Sequence, residues 1–337
     1  MNEFDNHVGI IQKNLILELF PDCNLNCSFC MQDKLNNYQS KRSQYTSRSK
    51  LNHIENAMKS VIENRLHTNS VEMWGGEIFY DNSVEYTKKM LDLIKLLNSQ
   101  YLTITTNLIW NIEDNVLFRY LSTKHPNFDL CISYDPLGRY SNEKMAAFFK
   151  NNLASLIKSG LGKRKTAMQY DVETVLTPEV LKQQVDLSYM DQLNSSSDIN
   201  LLFIKDYRGY DEETIDNFNK YLFALYKRFD KCRDIEVLLE NNLIDNNLCL
   251  CHQKTTTFLT YNNDFKLANG GACTYYIDHG SIKEKFYKLY GCKQCPYVDK
   301  CHDMCPSILN RLGFLKEGVY CYQRYMYDRL DELVVNK

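Results

Sequence analysis

Three cysteines stand close together near the start of the chain: Cys23, Cys27 and Cys30, spaced C-x3-C-x2-C in the run CNLNCSFC. A loop this short can converge three thiolates on one small inorganic core. A 4Fe–4S cube normally takes four cysteine ligands. Held by three, it keeps one iron open, much as a catalytic zinc keeps one position for water or substrate. A zinc knuckle would want a fourth Cys or His nearby, and the next ones after Cys30 are His53 and Cys131. A second array lies near the other end: Cys292, Cys295, Cys301, Cys305 and Cys321, preceded by Cys249, Cys251 and Cys273. By count, its eight thiols suit two iron–sulfur clusters or two structural zinc ribbons.

These groups need a scaffold, and the chain alternates short apolar, β-branched runs with longer helical patterns. The predicted strands are Asn14–Phe20, Ser70–Gly75, Tyr101–Thr106, Phe128–Tyr134, Met168–Leu176 and Ile199–Ile204. Runs without strict alternation suit strands covered on both faces. Helices are predicted near 50–65, 83–98, 113–121, 143–159, 178–193 and 212–229. Six βα units in series give an α/β fold with a parallel sheet and helices outside, curled one way by right-handed crossovers. Six units fall short of the eight of a closed barrel, so an open, partial barrel is expected, with its chemistry at the C-terminal strand ends. The first cysteine group directly follows the first strand. After about residue 235 cysteines, glycines and aromatic turns replace the βα rhythm, and a final amphipathic helix is predicted near Tyr322–Val334. The domain reading is therefore 1–235 for the partial barrel and 236–337 for a small cysteine-rich unit.

With 337 residues, 44% of them hydrophobic, the chain can bury a large core without disulfide staples. Its 13 cysteines are an odd count, and grouped cysteines in a long chain point to metal or redox chemistry. A formal net charge of −2 gives no electrostatic case for nucleic acid or an anionic membrane. No apolar run could span a bilayer and no signal peptide is legible, so a cytoplasmic location is expected. The polar, basic stretch Lys41–Lys50 reads as a solvated loop. Cys131 reads as a buried small hydrophobe within a strand, and Cys232 as a surface thiol. His252, His279 and His302 flank cluster cysteines and read as outer or solvent groups.

The cysteine triad, its place after the first strand and the aromatic Phe29 before Cys30 resemble the radical S-adenosylmethionine (SAM) superfamily. The resemblance implies a partial (β/α)6 barrel. It also implies a catalytic 4Fe–4S cluster on Cys23, Cys27 and Cys30 whose open iron chelates SAM for reductive cleavage to a 5′-deoxyadenosyl radical. It assigns Gly75, Gly76 and Glu77, which end the second strand, to the SAM amino group, and Asn107, at the end of the third, to its ribose or carboxylate; Phe29 and Ser133, the latter at the end of the fourth strand, are further cofactor-binding candidates. Relatives often carry Ser-x-Asp-Gly at the fourth strand, where this chain has Pro136 in place of the glycine.

The C-terminal array resembles the SPASM extension of that superfamily, which holds two auxiliary 4Fe–4S clusters. Carried over by position, one would use Cys249 and/or Cys251 with Cys273 and Cys305. The other would use Cys292, Cys295, Cys301 and Cys321. The Cys251–Cys273 gap is longer than in relatives and the Cys249-x-Cys251 pair is tight. Enzymes of this kind mostly modify peptides, so the expected function is ribosomal peptide maturation by crosslinking, oxidation or epimerisation. An external one-electron reductant such as flavodoxin or ferredoxin is expected to serve it. A dehydrogenase or epimerase of small sugars or aminocyclitols is the alternative. Thr274 stands where sulfatase maturases carry an acidic residue, which weakens a reading as a sulfatase maturase.

Overall fold

The computed structural model describes residues 12–25, 27, 47–66, 68–125, 127–135, 143–164, 168–176, 187–205, 217, 220, 221, 224, 225, 228, 256–261, 264–266, 268, 269, 279–298, 324, 327 and 328. In chain order the elements are β1 (Gln12–Glu18), α1 (Ser47–Glu63), β2 (Thr68–Trp74), α2 (Val84–Leu97), β3 (Tyr101–Thr106), α3 (Val116–Lys124) and β4 (Phe128–Ser133). They continue with α4 (Glu143–Ser159), β5 (Tyr170–Leu176), α5 (Ser188–Ser195), β6 (Ile199–Lys205), β7 (Thr256–Thr260), β8 (Ala268–Asn269) and α6 (His279–Tyr290).

The eight strands form one sheet in the order β6-β5-β4-β3-β2-β1-β7-β8. The first seven strands are parallel, and β8 pairs antiparallel with β7. From β1 to β6 each strand lies beside its successor, without the order reversal of a doubly wound sheet. Right-handed crossovers in such a series put every helix on one face, which is the winding of a barrel wall. β7 joins the other edge of β1, with Leu17 beside Leu259 and Glu18 beside Thr260. A strand from beyond residue 235 thus belongs to the same sheet, although no strand is predicted there.

Burial alternates along β2 and β3, in contrast to the expectation of strands dry on both faces. One face is continuous with the helices: Leu15, Leu17, Val71, Met73, Leu102, Ile104, Leu130, Ile132, Val172 and Leu201 share a core with Ile54, Met90, Leu93, Leu121, Phe149 and Leu153. The opposite face carries Glu18, Glu72, Thr103, Thr105, Asp129, Asp171 and Glu173, most of them half-buried. Period-two alternation separates the two sets.

Helix boundaries have local causes. Ser83 caps α2 by accepting from the Tyr86 N–H at 3.4 Å, and Asn98 ends it in the left-handed conformation. Asn115 caps α3 by accepting from the Phe118 N–H at 2.9 Å, which starts that helix three residues later than predicted. The Lys41–Lys50 reading needs a larger correction. Ser47–Lys50 is the first turn of α1, and Lys50 is only 4% exposed. The predicted 178–193 helix is observed from Ser188, and residues 178–186 lie outside the described ones. So do Cys232, most of the predicted helix at 212–229 and all but three residues of the one near Tyr322–Val334. No helix among the described residues is long and apolar enough to cross a membrane.

Candidate functional site

The loops after β1, β2 and β3 meet at the C-terminal edge of the sheet. Parallel pairing of β1 and β2 continues past both strands: the Gly76 N–H donates to the Phe20 carbonyl at 2.6 Å and the Glu77 N–H to that of Asp22 at 2.9 Å. This contact explains the two glycines. Gly75 has φ +136°, and a Cβ there would lie 2.7 Å from the Phe20 oxygen. A Cβ on Gly76 would lie 1.6 Å from the Asp22 oxygen. The close approach that the glycines allow is to the backbone leading into Cys23, whereas the resemblance assigns them to SAM.

Glu77 is fully buried. Its Oε1 accepts from the Thr106 hydroxyl at 2.9 Å and the Phe79 N–H at 3.2 Å, and its Oε2 from the Asn107 N–H at 2.7 Å. A buried carboxylate needs such donors, and here they tie the end of β2 to the end of β3. Beneath them Phe79 and Trp110 pack at 4.4 Å, and Trp110 and Phe118 at 5.2 Å. From α4, the Asn152 amide donates to the carbonyls of Leu108 and Trp110 at 2.9 and 2.8 Å. Leu108, at φ +59°, makes the tight turn that needs this support.

The cysteine loop leans on that turn. Cys23 Sγ lies 3.4 Å from the Leu25 N–H and 3.5 Å from Asn107 Nδ2, both donors. Asn24 donates to the Ile109 carbonyl and accepts from Asn107 Nδ2 at 2.8 Å. Leu25 and the buried Cys27 form a small apolar cluster with Cys23, Ile109, Met145 and Val175 packed around it. Two of the three expected thiols thus share one pocket of apolar side chains, with N–H groups aimed at sulfur. That surrounding fits a cysteine-held iron–sulfur cluster. Phe29 and Cys30 lie outside the described residues, among which no three metal-binding side chains converge.

Behind the loop sits a buried cation. The Lys50 ammonium is 2.5 Å from Asp22 and 3.5 Å from Asp81, and it lies over the rings of Phe20, Tyr80 and Tyr86 at 5.4–5.7 Å. Burial first, then the carboxylates of Asp81, Glu77 and Asp22, push the Tyr86 phenol well above its ordinary range. The phenol stays protonated and donates to the Ile78 carbonyl at 2.7 Å.

The open face of the sheet leads away from this edge. Ser133 ends β4, level with Asn107 because Thr106 pairs with Ile132, and it faces Glu173 of β5. Cys131 is buried as expected, yet it belongs to this polar face rather than to the apolar core. Burial chiefly, then Glu173 by charge and hydrogen bond, then Glu72 and Asp171, hold its thiol well above the usual range. Glu72 accepts from the Trp74 indole N–H at 2.6 Å, and burial raises its own pKa.

The structure therefore brings together Cys23, Cys27, Gly75, Gly76, Glu77 and Asn107, with Ser133 one strand further along. Of the C-terminal array, Cys292 and Cys295 flank a single 3-10 turn (Cys292–Gln294) that follows the left-handed Gly291. The Cys295 N–H donates to the Cys292 carbonyl at 3.0 Å. Cys249, Cys251, Cys273, Cys301, Cys305 and Cys321 lie outside the described residues. Sequence reasoning missed Asp22, Asn24, Lys50 and Asn152. A signal for Lys50 exists, since positions 50, 54, 57 and 61 share the buried stripe of α1. Asn24 and Asn152 carry no comparable signal.

No protein-family model matches the chain, and no curated protein sequence does. Among solved structures, SuiB of Streptococcus suis aligns with a TM-score of 0.49 at 14% identity, covering 89% of this chain and 74% of that one. That likeness is too slight to carry an assignment, which rests on the residues of the site.

Proposed function

We propose that the chain is a radical SAM enzyme that modifies a peptide substrate. The observation that carries this reading is the meeting of Cys23 and Cys27 with Gly75–Glu77 and Asn107 at one edge of a serially ordered parallel sheet. A C-x3-C-x2-C triad alone can arise in a metal knuckle. The same triad after β1, braced by a Gly-Gly-Glu turn after β2, has the layout expected of this superfamily.

When bound, a 4Fe–4S cluster and SAM would supply a 5′-deoxyadenosyl radical able to remove a hydrogen atom from substrate. Cys23, Cys27 and Cys30 would hold the cluster. Gly75 and Gly76 bring the second loop against the first, and Glu77 fixes both to the third. SAM would border Gly75–Glu77 and Ser133. The half-buried polar face of the sheet, with Glu72, Cys131 and Glu173, would line the way to the substrate. The C-terminal cysteines would hold two auxiliary clusters able to take the electron that an oxidative product must lose.

The test is anaerobic reconstitution with iron and sulfide, followed by SAM, dithionite and a candidate precursor peptide, read by mass spectrometry. Loss of two hydrogen atoms from the peptide would mean crosslinking or dehydrogenation. Deuterium uptake from heavy water, without a mass change in ordinary water, would mean epimerisation. Absence of 5′-deoxyadenosine from fully loaded protein would refute the reading.

A further inference from the structure

We infer that Asn107 is a positioning residue for Cys23, setting the reduction potential of the cluster that Cys23 would help to hold; this rests on the reading above. Resemblance alone assigns Asn107 to SAM. Its hydrogen bonds point elsewhere.

Both side-chain N–H groups of Asn107 have partners within the protein: Cys23 Sγ at 3.5 Å and Asn24 Oδ1 at 2.8 Å. Its Oδ1 accepts from the Ile109 N–H at 2.8 Å, and Asn24 Nδ2 donates to the Ile109 carbonyl. The two asparagine side chains and the Ile109 backbone thus close a ring of hydrogen bonds between the loops after β1 and β3. A primary amide has two donor hydrogens; the ring takes one and Cys23 Sγ the other, which leaves none for a cofactor. The backbone of Asn107 is held in turn by the buried Glu77 carboxylate at 2.7 Å. The donor is therefore built into the fold before any ligand arrives.

A neutral N–H donor to a ligating sulfur stabilises the more electron-rich, reduced state of a cluster and raises its potential. Without it, reduction becomes harder. Asn107 would therefore govern how readily the cluster accepts the electron that starts the reaction.

The experiment uses the reconstituted full-length protein and its Asn107→Leu and Asn107→Ala variants. Leucine keeps the volume without donors. Alanine removes both donors without adding charge or bulk, so it remains informative if the leucine variant misfolds. Ser83→Ala, which removes a helix cap and touches neither Cys23 nor Asn107, is the control. The midpoint potential is read from the EPR signal that SAM perturbs, titrated without SAM, and SAM affinity is measured separately. The expected result is a shift to more negative potential in both Asn107 variants, an unshifted control, and SAM affinity within about twofold of wild type. An unshifted potential with SAM affinity weakened about tenfold would overturn the inference and make Asn107 a SAM contact. Wild-type protein that takes up no SAM-responsive cluster would instead overturn the parent reading, and this inference with it.

Discussion

Lys50 and Asp22 form a buried ion pair at 2.5 Å, and Asp22 is the residue immediately before Cys23. The pair joins the first turn of α1 to the start of the cysteine loop, with Asp81 as a second acceptor at 3.5 Å. Removing one member of a buried pair leaves the other charge poorly solvated, which typically costs about 3–5 kcal/mol. Asp22 retains some exposure, so Lys50→Met should destabilise the fold by about 3 kcal/mol in urea unfolding. Adding Asp22→Asn should recover part of that loss, because one fewer charge is stranded. A single variant within about 0.5 kcal/mol of wild type would show the pair to be dispensable.

Gly76 and Gly75 should rank differently from ordinary turn glycines. An alanine Cβ at position 76 would fall inside the Asp22 carbonyl group, so the β1 and β2 loops must separate. Gly76→Ala should cost at least about 3 kcal/mol and Gly75→Ala about 2 kcal/mol or more, measured as loss of folded protein by circular dichroism. Gly160→Ala is the comparison. Its φ of +68° is strained too, yet nothing lies within 4 Å of its Cβ, so about 1 kcal/mol is expected.

Glu72 gives a pH signature. Burial raises its pKa above the ordinary 4.5, so its protonated form suits the folded state. That contribution is complete below the unfolded value and is lost as pH rises through the folded one. Glu72→Gln keeps an oxygen for the Trp74 indole and has no charge to bury. The variant and wild type should be similarly stable at pH 4, with the variant increasingly the more stable toward pH 8, by urea unfolding at each pH. Equal pH profiles would show that Glu72 ionises in the folded protein without penalty.

What the sequence revealed follows from the range of the interactions involved. The six strands from β1 to β6 were legible because each is a short apolar run flanked by polar residues, a local property. The C-x3-C-x2-C spacing stood out because it is local too, and the structure describes Cys23 and Cys27 of it. β7 was not, since Thr256–Thr260 is short, with threonine at three of its five positions, and becomes a strand by pairing with β1. The two asparagines around Cys23 were invisible for the same reason: Asn24 and Asn107 meet across 83 residues of chain. Gly75 and Gly76 stood out as a motif, but their partner, the Phe20–Asp22 backbone, emerges only when β1 and β2 are in register. Lys50 was misread because a basic run suggested solvent, whereas the helical phase of Ile54, Ala57 and Val61 carries it inward.

The proposed function stands on Cys23, Cys27 and Cys30 holding the group through which SAM would be cleaved. Its most direct test compares the reconstituted wild-type protein with the variant in which all three are alanine, counting 5′-deoxyadenosine formed under dithionite. Turnover by the wild type and none by the variant is expected, with the C-terminal cysteines intact in both. Equal deoxyadenosine from the two proteins would contradict it.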